Sequence, residues 1–522
     1  MMNRISILFL LLISQFGYSQ YIEQFPINQG NASKMFEFGN YQEAIRQYGE
    51  LLKEEPNNSE FQYYLGKAYT LSTINPPKGL ELLLQYAEAT NKTEVANWQE
   101  TLAIAYWKNY EFEKAIETFK QFLSLLNDPE KKKEIEQQIT HCEEAWKLYQ
   151  MPIQISFENL GKNVNSEAPD YLPFVSPDES LLFFSTKRDG VVGNLYDYSG
   201  YKTADIYTSR HKRNNYSRAR SVGSPNTYGN EETAGRSENG QFLLYHVDSE
   251  DHFSNLFVSE KGRRSYMAPK VFGFKEVNSK DKETAGAISN DGSTLYFSSN
   301  REGGLGGYDI YVVKRLPTGE WGLPKNIGAP INTSGDEKFP FWAESEGTMY
   351  FSSNGHLGLG GLDLFKSQFD LTNNSWGKPK NLGYPLNTVY DDNSICFAEN
   401  KRYAYVSQLR NNGFGDLDVY RVTFHEEKTE YTLVNGIIMT GDSSLVKENI
   451  TVEIIDDESG DIVGSYIMNT NTSTFNAILP PGKYIIEIIG HDKFADFSQK
   501  LILLSKNDYQ TNKKMHLILT PK

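Results

Sequence analysis

From Asn31 to Gln150 apolar residues recur every three or four positions. In "MFEFGNYQEAIRQYGELLKEEPNN" Phe38, Tyr41, Ala44, Ile45, Tyr48, Leu51 and Leu52 fall on one helical face, and Pro56 ends the segment. The same order returns in "LAIAYWKNYEFEKAIETFKQFLSLLNDPE", with Ala115 and Ile116 at the places of Ala44 and Ile45. Between them "YYLGKAYTL" offers Gly66 and Ala68 where two helices can cross closely. The pattern predicts two helix pairs, a divergent central pair near Pro77 to Asn97, and a charged final helix from Glu130 to Gln150.

At Met151-Pro152 the helical period stops and short alternating strands begin. From Gln154 to about Phe424 one unit is repeated five times. Its strand "LLFFST", "FLLYHV", "TLYFSS", "TMYFSS" or "YAYVSQ" is followed by a second beginning at Asp205, Asn255, Asp309, Asp363 or Asp418, spaced 50, 54, 54 and 55 residues apart. A third strand runs into a turn, as in "RSVGSPNT", "KNIGAPINT" and "KNLGYPLNT". Four short strands per unit predict an all-β propeller. The last unit lacks an outer strand and "ISFENLGKNVNS", Ile155 to Ser166, supplies one, so the expected ring has five blades, with six as the alternative.

After Val434 short strands alternate again around turns at Asp457 to Gly460 and Pro480-Pro481-Gly482, which predicts a small antiparallel β-sandwich. The expected division is therefore residues 1–19 as a signal peptide, 30–150 as a helical domain, 153–426 as a propeller and 432–522 as a sandwich.

The signal peptide rests on Arg4, the apolar run Ile5 to Ile13 and the small residues Gly17 and Ser19. Its apolar core is far below the ~20 residues that span a bilayer, so an exported periplasmic protein without a transmembrane segment is expected. Aromatic residues make up 13% of the chain, dominated by 33 Tyr and 30 Phe, in keeping with β-structure. A net charge of -15 argues against attraction to nucleic acid or anionic lipid. Cys142 and Cys396 read as buried free thiols.

Three resemblances rest on these stretches. The helical segment resembles tetratricopeptide repeats, which implies an α-helical solenoid holding a peptide or protein segment in its groove. "SNDGSTLYFSSNREGGLGGYDIY" resembles the PD40 (WD40-like) propeller repeats of TolB and of many Bacteroidetes envelope proteins. "LPPGKYIIEI", with the opening strand near Val434, resembles the carboxypeptidase regulatory-like domain. The combination is similar to a Bacteroidetes family that includes a periplasmic component of the type IX secretion system and normally ends in an OmpA-like domain. The sequence here ends at Lys522 without that domain, so peptidoglycan binding is not carried over.

Catalytic motifs are sparse. No G-x-S-x-G elbow occurs, the eight His are scattered, and the "GLGG" loops precede strands where a phosphate loop would precede a helix. The expectation is a non-enzymatic protein with no cofactor and no metal. Two sets of residues are binding candidates. Asp170, Glu232, Glu283, Glu337 and Asp392 precede the innermost strands, either as an acidic channel mouth or as turn caps. Arg210, Lys212, Arg213, Arg218, Arg220, Arg263 and Arg264 form a basic patch, either rim decoration or a docking site for anionic envelope components. The function expected from this organisation is a scaffold of an outer-membrane secretion or gliding machine, with other envelope proteins as partners. The alternative is a ligand-binding or enzymatic propeller acting on glycan or peptide.

Overall fold

The computed structural model describes residues 25–89, 95–212, 215–249, 252–263, 265–272, 276–425, 431–457, 459–489, 491–503 and 512–522. The expected signal peptide, residues 1–19, lies outside them.

Among the described residues seven α-helices come first: Gln29–Glu37, Tyr41–Glu54, Ser59–Leu71, Pro76–Glu88, Trp98–Lys108, Phe112–Leu125 and Pro129–Gln150. Asn28, Asn40, Asn58 and Asn75 each accept a first-turn N–H with the side chain, satisfying donors that a helix start leaves open. Tyr48, Tyr63, Tyr86, Phe112 and Phe119 are fully buried between the helices. At the crossing of Ser59–Leu71 with Pro76–Glu88, a Cβ on Gly79 would stand 2.7 Å from Thr70 Oγ1 and 3.0 Å from the Gly66 carbonyl oxygen, so only glycine permits this approach.

Five small antiparallel sheets follow. Their innermost strands are Asp170–Val175, Asn230–Arg236, Glu283–Ile288, Glu337–Ala343 and Cys396–Phe397. A backbone hydrogen bond at the same place in every unit joins each sheet to the next: Glu231 to Ala204, Glu283 to Ser254, Glu337 to Tyr308, Asp392 to Leu362, and Asp170 to Leu417, which returns to the first sheet. The sheets therefore form a closed β-propeller. Ile155–Asn159, from the start of this region, is the outermost strand of the fifth sheet and pairs antiparallel with Asp418–Phe424.

The expected order of a tetratricopeptide solenoid, an all-β propeller and a small sandwich is corrected at the solenoid. Among the described residues seven helices precede the small sheets, and helices and sheets up to His425 belong to one compact unit. The helices pack on the loops at one end of the propeller strands. Trp107 Nε1 donates to the Leu359 carbonyl at 2.8 Å, Lys108 Nζ donates to the Val389 carbonyl, and His141 Nε2 accepts from Gly358 N at 3.1 Å. Val389 belongs to the same apolar core as Phe112, Phe119, Ile135 and Ile139. Helical periodicity marks which face is apolar but not what covers it. Here a propeller loop covers part of it.

Residues 426–522 form the second unit. Thr432–Thr440 lies between Thr474–Leu479, antiparallel, and Asn512–Leu519, parallel. A second sheet runs Ile462–Ile467, Thr451–Asp456, Gly482–Ile488, Phe497–Leu503, and the two share a core that includes Val434, Ile438, Ile454, Phe475 and Ile486. The expectation of a wholly antiparallel arrangement is corrected by the parallel pair. Alternation with period two identifies a strand and its buried face, and is blind to the direction of its partner.

Candidate functional site

Each sheet is entered through the same polar device. An Asn clamps the first residues of the third strand, accepting its N–H and donating to its carbonyl: Asn165 on Val419, Asn226 on Ile206, Asn278 on Leu256, Asn332 on Ile310 and Asn387 on Leu364. The following Ser or Thr donates both its backbone N–H and its hydroxyl to a carboxylate four residues on. The pairs are Ser166–Asp170, Thr227–Glu231, Ser279–Glu283, Thr333–Glu337 and Thr388–Asp392.

Four of the five acids singled out in the sequence therefore occupy one buried ring of caps. Asp170, Glu283 and Glu337 are 0% exposed and Asp392 is 3% exposed. Arg188 pairs with Asp170 at 2.5 Å and Arg301 with Glu283 at 2.9 Å, while Gln408 donates to Asp392 at 2.9 Å. Buried carboxylates already supplied with donors do not make an acidic funnel open to ligand. Burial pushes Asp392 up to about 7 and also raises Glu337.

In the second sheet the cap is Glu231, which burial pushes up to about 7. Glu232 stands one residue further along, where a bulge shifts the strand register between Thr233 and Gly235. A quarter of its side chain is exposed. Tyr171 donates its hydroxyl to Glu232 Oε1 at 2.5 Å. His246 Nδ1 approaches Glu232 Oε2 to 3.4 Å without hydrogen-bond geometry, and His246 Nε2 meets Ser254 Oγ at 2.8 Å. Burial works to raise the Glu232 carboxyl, but His246 and the Tyr171 hydroxyl outweigh it and hold the group below its usual range. The series Ser254, His246, Glu232 has the residue types of a hydrolase triad. The Ser254 side chain is buried, at 1% exposure, so the series serves to fix Glu232.

Across the ring interior, Arg236 of the second sheet donates to Cys396 Sγ at 3.2 Å and to the Phe397 carbonyl at 2.5 Å in the fifth. Its guanidinium lies 5.4 Å from the Phe341 ring of the fourth. Cys396 and Cys142 are both free and buried. Among the described residues no group of three or more His, Cys, Asp or Glu is placed to hold a metal ion, and no helix is long and apolar enough to cross a membrane.

The basic residues gather at the other end of the strands. Leu181 pairs with Arg210 at the strand end opposite Thr186 and Asp205, the end that continues into the loops. There a groove of about 870 Å³ opens between the first and second sheets, with Arg210, Lys212, Arg218 and Arg220 along it. All four are exposed, and none forms an ion pair among the described residues. Arg263 is exposed in the hairpin closed by Lys261 and Tyr266, two residues before groove-lining Ser265. Arg213 and Arg264 lie outside the described residues.

The groove walls are aromatic: Phe183, Tyr216, Tyr245 and Tyr266. Tyr216 stacks on His211 with centroids 4.6 Å apart, and its hydroxyl meets that of Tyr405 at 2.7 Å. Tyr405 in turn donates to Glu179 at 2.7 Å, and Arg421 pairs with the same carboxylate. Tyr266 donates to the Gly240 carbonyl at 2.6 Å and packs edge-on against Phe183. Burial pushes both the Tyr216 and Tyr266 hydroxyls up to about 12, so they stay neutral beside the cations. No Asp or Glu lines the groove among the described residues. The basic run was visible in the sequence, but its aromatic walls come from strands of two sheets and carry no local signal.

No protein-family profile and no curated sequence matches the chain. Among solved structures it is similar to an endo-arabinase from Bacteroides thetaiotaomicron, at 12% identity over 51% of this chain and 97% of that one, with a TM-score of 0.31. An α-L-arabinofuranosidase from Lactobacillus brevis is 10% identical over 57% of this chain and 96% of that one, with a TM-score of 0.32. A protein of unknown function from Dyadobacter fermentans is 10% identical over 52% and 99%, with a TM-score of 0.30. Likenesses at this level carry no argument about activity.

Proposed function

We propose that the protein is an exported ligand-binding β-propeller whose groove between the first and second sheets holds an anionic glycan. The observation that carries this is the row Arg210, Lys212, Arg218 and Arg220, unpaired among the described residues, along walls of fixed tyrosine rings. Unpaired cations over a low-dielectric wall attract anions. Ring faces pack against the apolar faces of sugars, and Thr208, Asn215 and Ser217 add neutral donors and acceptors along the same groove. Glycoside hydrolysis needs a pair of carboxyl groups flanking the bond. None lines this groove among the described residues, so binding without cleavage is the reading adopted. Neither the fold nor the comparisons supply support for the scaffold reading.

The test is chromatography of the full chain on immobilised polygalacturonate and on a neutral galactan. Retention on the acidic polymer alone, released by salt, is expected. Arg218→Glu with Arg220→Glu should abolish retention without altering the circular dichroism spectrum. Equal elution of variant and parent, or equal retention on the neutral polymer, overturns the proposal.

A further inference from the structure

A second cavity, of about 790 Å³, lies between the helices and the propeller. Pro76, Pro77 and Lys108 approach it from the helical side, and Tyr384, Tyr390 and Arg410 from the propeller. It is distinct from the basic groove, which opens at the opposite strand ends.

Arg410 is the informative residue. Its guanidinium sits 3.7 Å from the centroid of Phe157, which fixes the plane of the fork. Nη1 donates to Gln408 Oε1 at 2.9 Å, and Gln408 is itself held by Asp392 and by the Leu386 carbonyl. The group is half-buried, and among the described residues it forms no ion pair. A guanidinium removed from water without an anion is unfavourable, and its planar fork matches a carboxylate.

The remaining walls set what fits beside Arg410. Lys108 is the other cation lining the cavity and spends one donor of its Nζ on the Val389 carbonyl, and no acid lines the cavity among the described residues. Tyr384 packs on Tyr149 at 4.7 Å and on Tyr110 at 6.1 Å, giving a rigid aromatic lip. Burial raises Tyr110, Tyr384 and Tyr390, so all three remain neutral. A cavity of this size suits a ligand of a few residues or a small organic acid.

We infer that this cavity binds a carboxylate carried on an aromatic or apolar body, with Arg410 as its anchor. The carboxylate source argued for is the C-terminus of a peptide, since exposed Asn411 and Asn412 at the rim offer amides to a peptide backbone. A free aromatic acid shares the chemistry.

The test is calorimetric titration of the full chain with N-acetyl-phenylalanine, its C-terminal amide, the tripeptide Ala-Ala-Phe and phenylacetate. The free carboxylates should bind, and the amide should bind at least about tenfold more weakly, the loss of a charged hydrogen-bond pair. Tighter binding of the tripeptide than of phenylacetate supports a peptide terminus, and the reverse order overturns that source. Arg410→Gln should weaken acid binding to the level of the amide. Asn411→Asp, at an exposed position that leaves the fold intact, should also weaken it by adding a like charge. Indifference to the terminal carboxylate, or no binding of any probe, overturns the inference. Retention on polygalacturonate reads the other groove and is unaffected by either outcome.

Discussion

Thr227 donates its backbone N–H and its hydroxyl to the buried carboxylate of Glu231, and the same pairing recurs at every junction between the five sheets. Each cap sits beside a backbone bond that hands one sheet to the next. It holds the innermost strand at the point where the ring is joined.

Thr227→Ala should cost about 1–2 kcal/mol, the price of leaving a buried acceptor without one donor. Ser279→Ala and Thr388→Ala should behave alike, because Glu283 and Asp392 are equally enclosed. Urea denaturation of the three variants checks this. A cost below about 0.5 kcal/mol, the range of ordinary surface changes, contradicts it.

Glu231 and Asp392 are pushed up to about 7 by burial, from unfolded values of about 4. Between those values the folded state holds more protons than the unfolded one. Stability from these groups is therefore full below about pH 4 and lost as pH rises towards 7, on the order of 3–4 kcal/mol per group. Calorimetric melting across pH 5–8 should show the decline, and Glu231→Gln should make it less steep. An identical slope in the variant refutes the assignment.

Gly358→Ala should destabilise the chain severely, because the added Cβ would lie 1.7 Å from Asp363 Oδ2, which accepts the N–H groups of Leu359 and Gly360. Gly49→Ala is the contrast. It lies within the helix Tyr41–Glu54 with open space around the new Cβ, and should stabilise by about 0.5–1 kcal/mol. Thermal melts of both variants decide.

Residues 25–425 should unfold in one transition and residues 431–522 in another, since helices and propeller share a compact unit and the last residues form their own. Trp107→Phe, which strips the donor from the Leu359 carbonyl, should lower the larger transition by about 1–3 kcal/mol and leave the smaller one in place. Independent melting of the helices contradicts the single unit.

Much of this was legible in the chain. The repeated strands, their spacing and the outer strand Ile155–Asn159 were read from local pattern, and that strand does pair with Asp418–Phe424. The register of the acids was misread at one point. "EETAG" aligns with "KETAG" and selects Glu232, whereas the Asn-Thr step four residues earlier selects Glu231. The bulge between Thr233 and Gly235 does not mark the difference, since the third sheet has a like bulge between Glu283 and Ala285; the bonds from Thr227 single out Glu231 as the cap. The fixed spacing from Asn-Ser or Asn-Thr to the acid was present in all five units and would have identified the cap. The covering of helices by propeller loops, the tyrosine walls of the groove and the seat of Arg410 join residues hundreds of positions apart, where periodicity is silent.

The pairing of Ile155–Asn159 with Asp418–Phe424 also sets an order in time. The first strand leaves the ribosome long before its partner exists, and at about 5–20 residues per second the wait is on the order of tens of seconds. Throughout it the strand has a bare edge, and the fifth sheet does not yet exist to receive it. Export of an unfolded chain would postpone this clasp until synthesis is complete. A truncation that removes Asp418–Phe424 leaves Ile155–Asn159 without its partner, however intact the other four sheets.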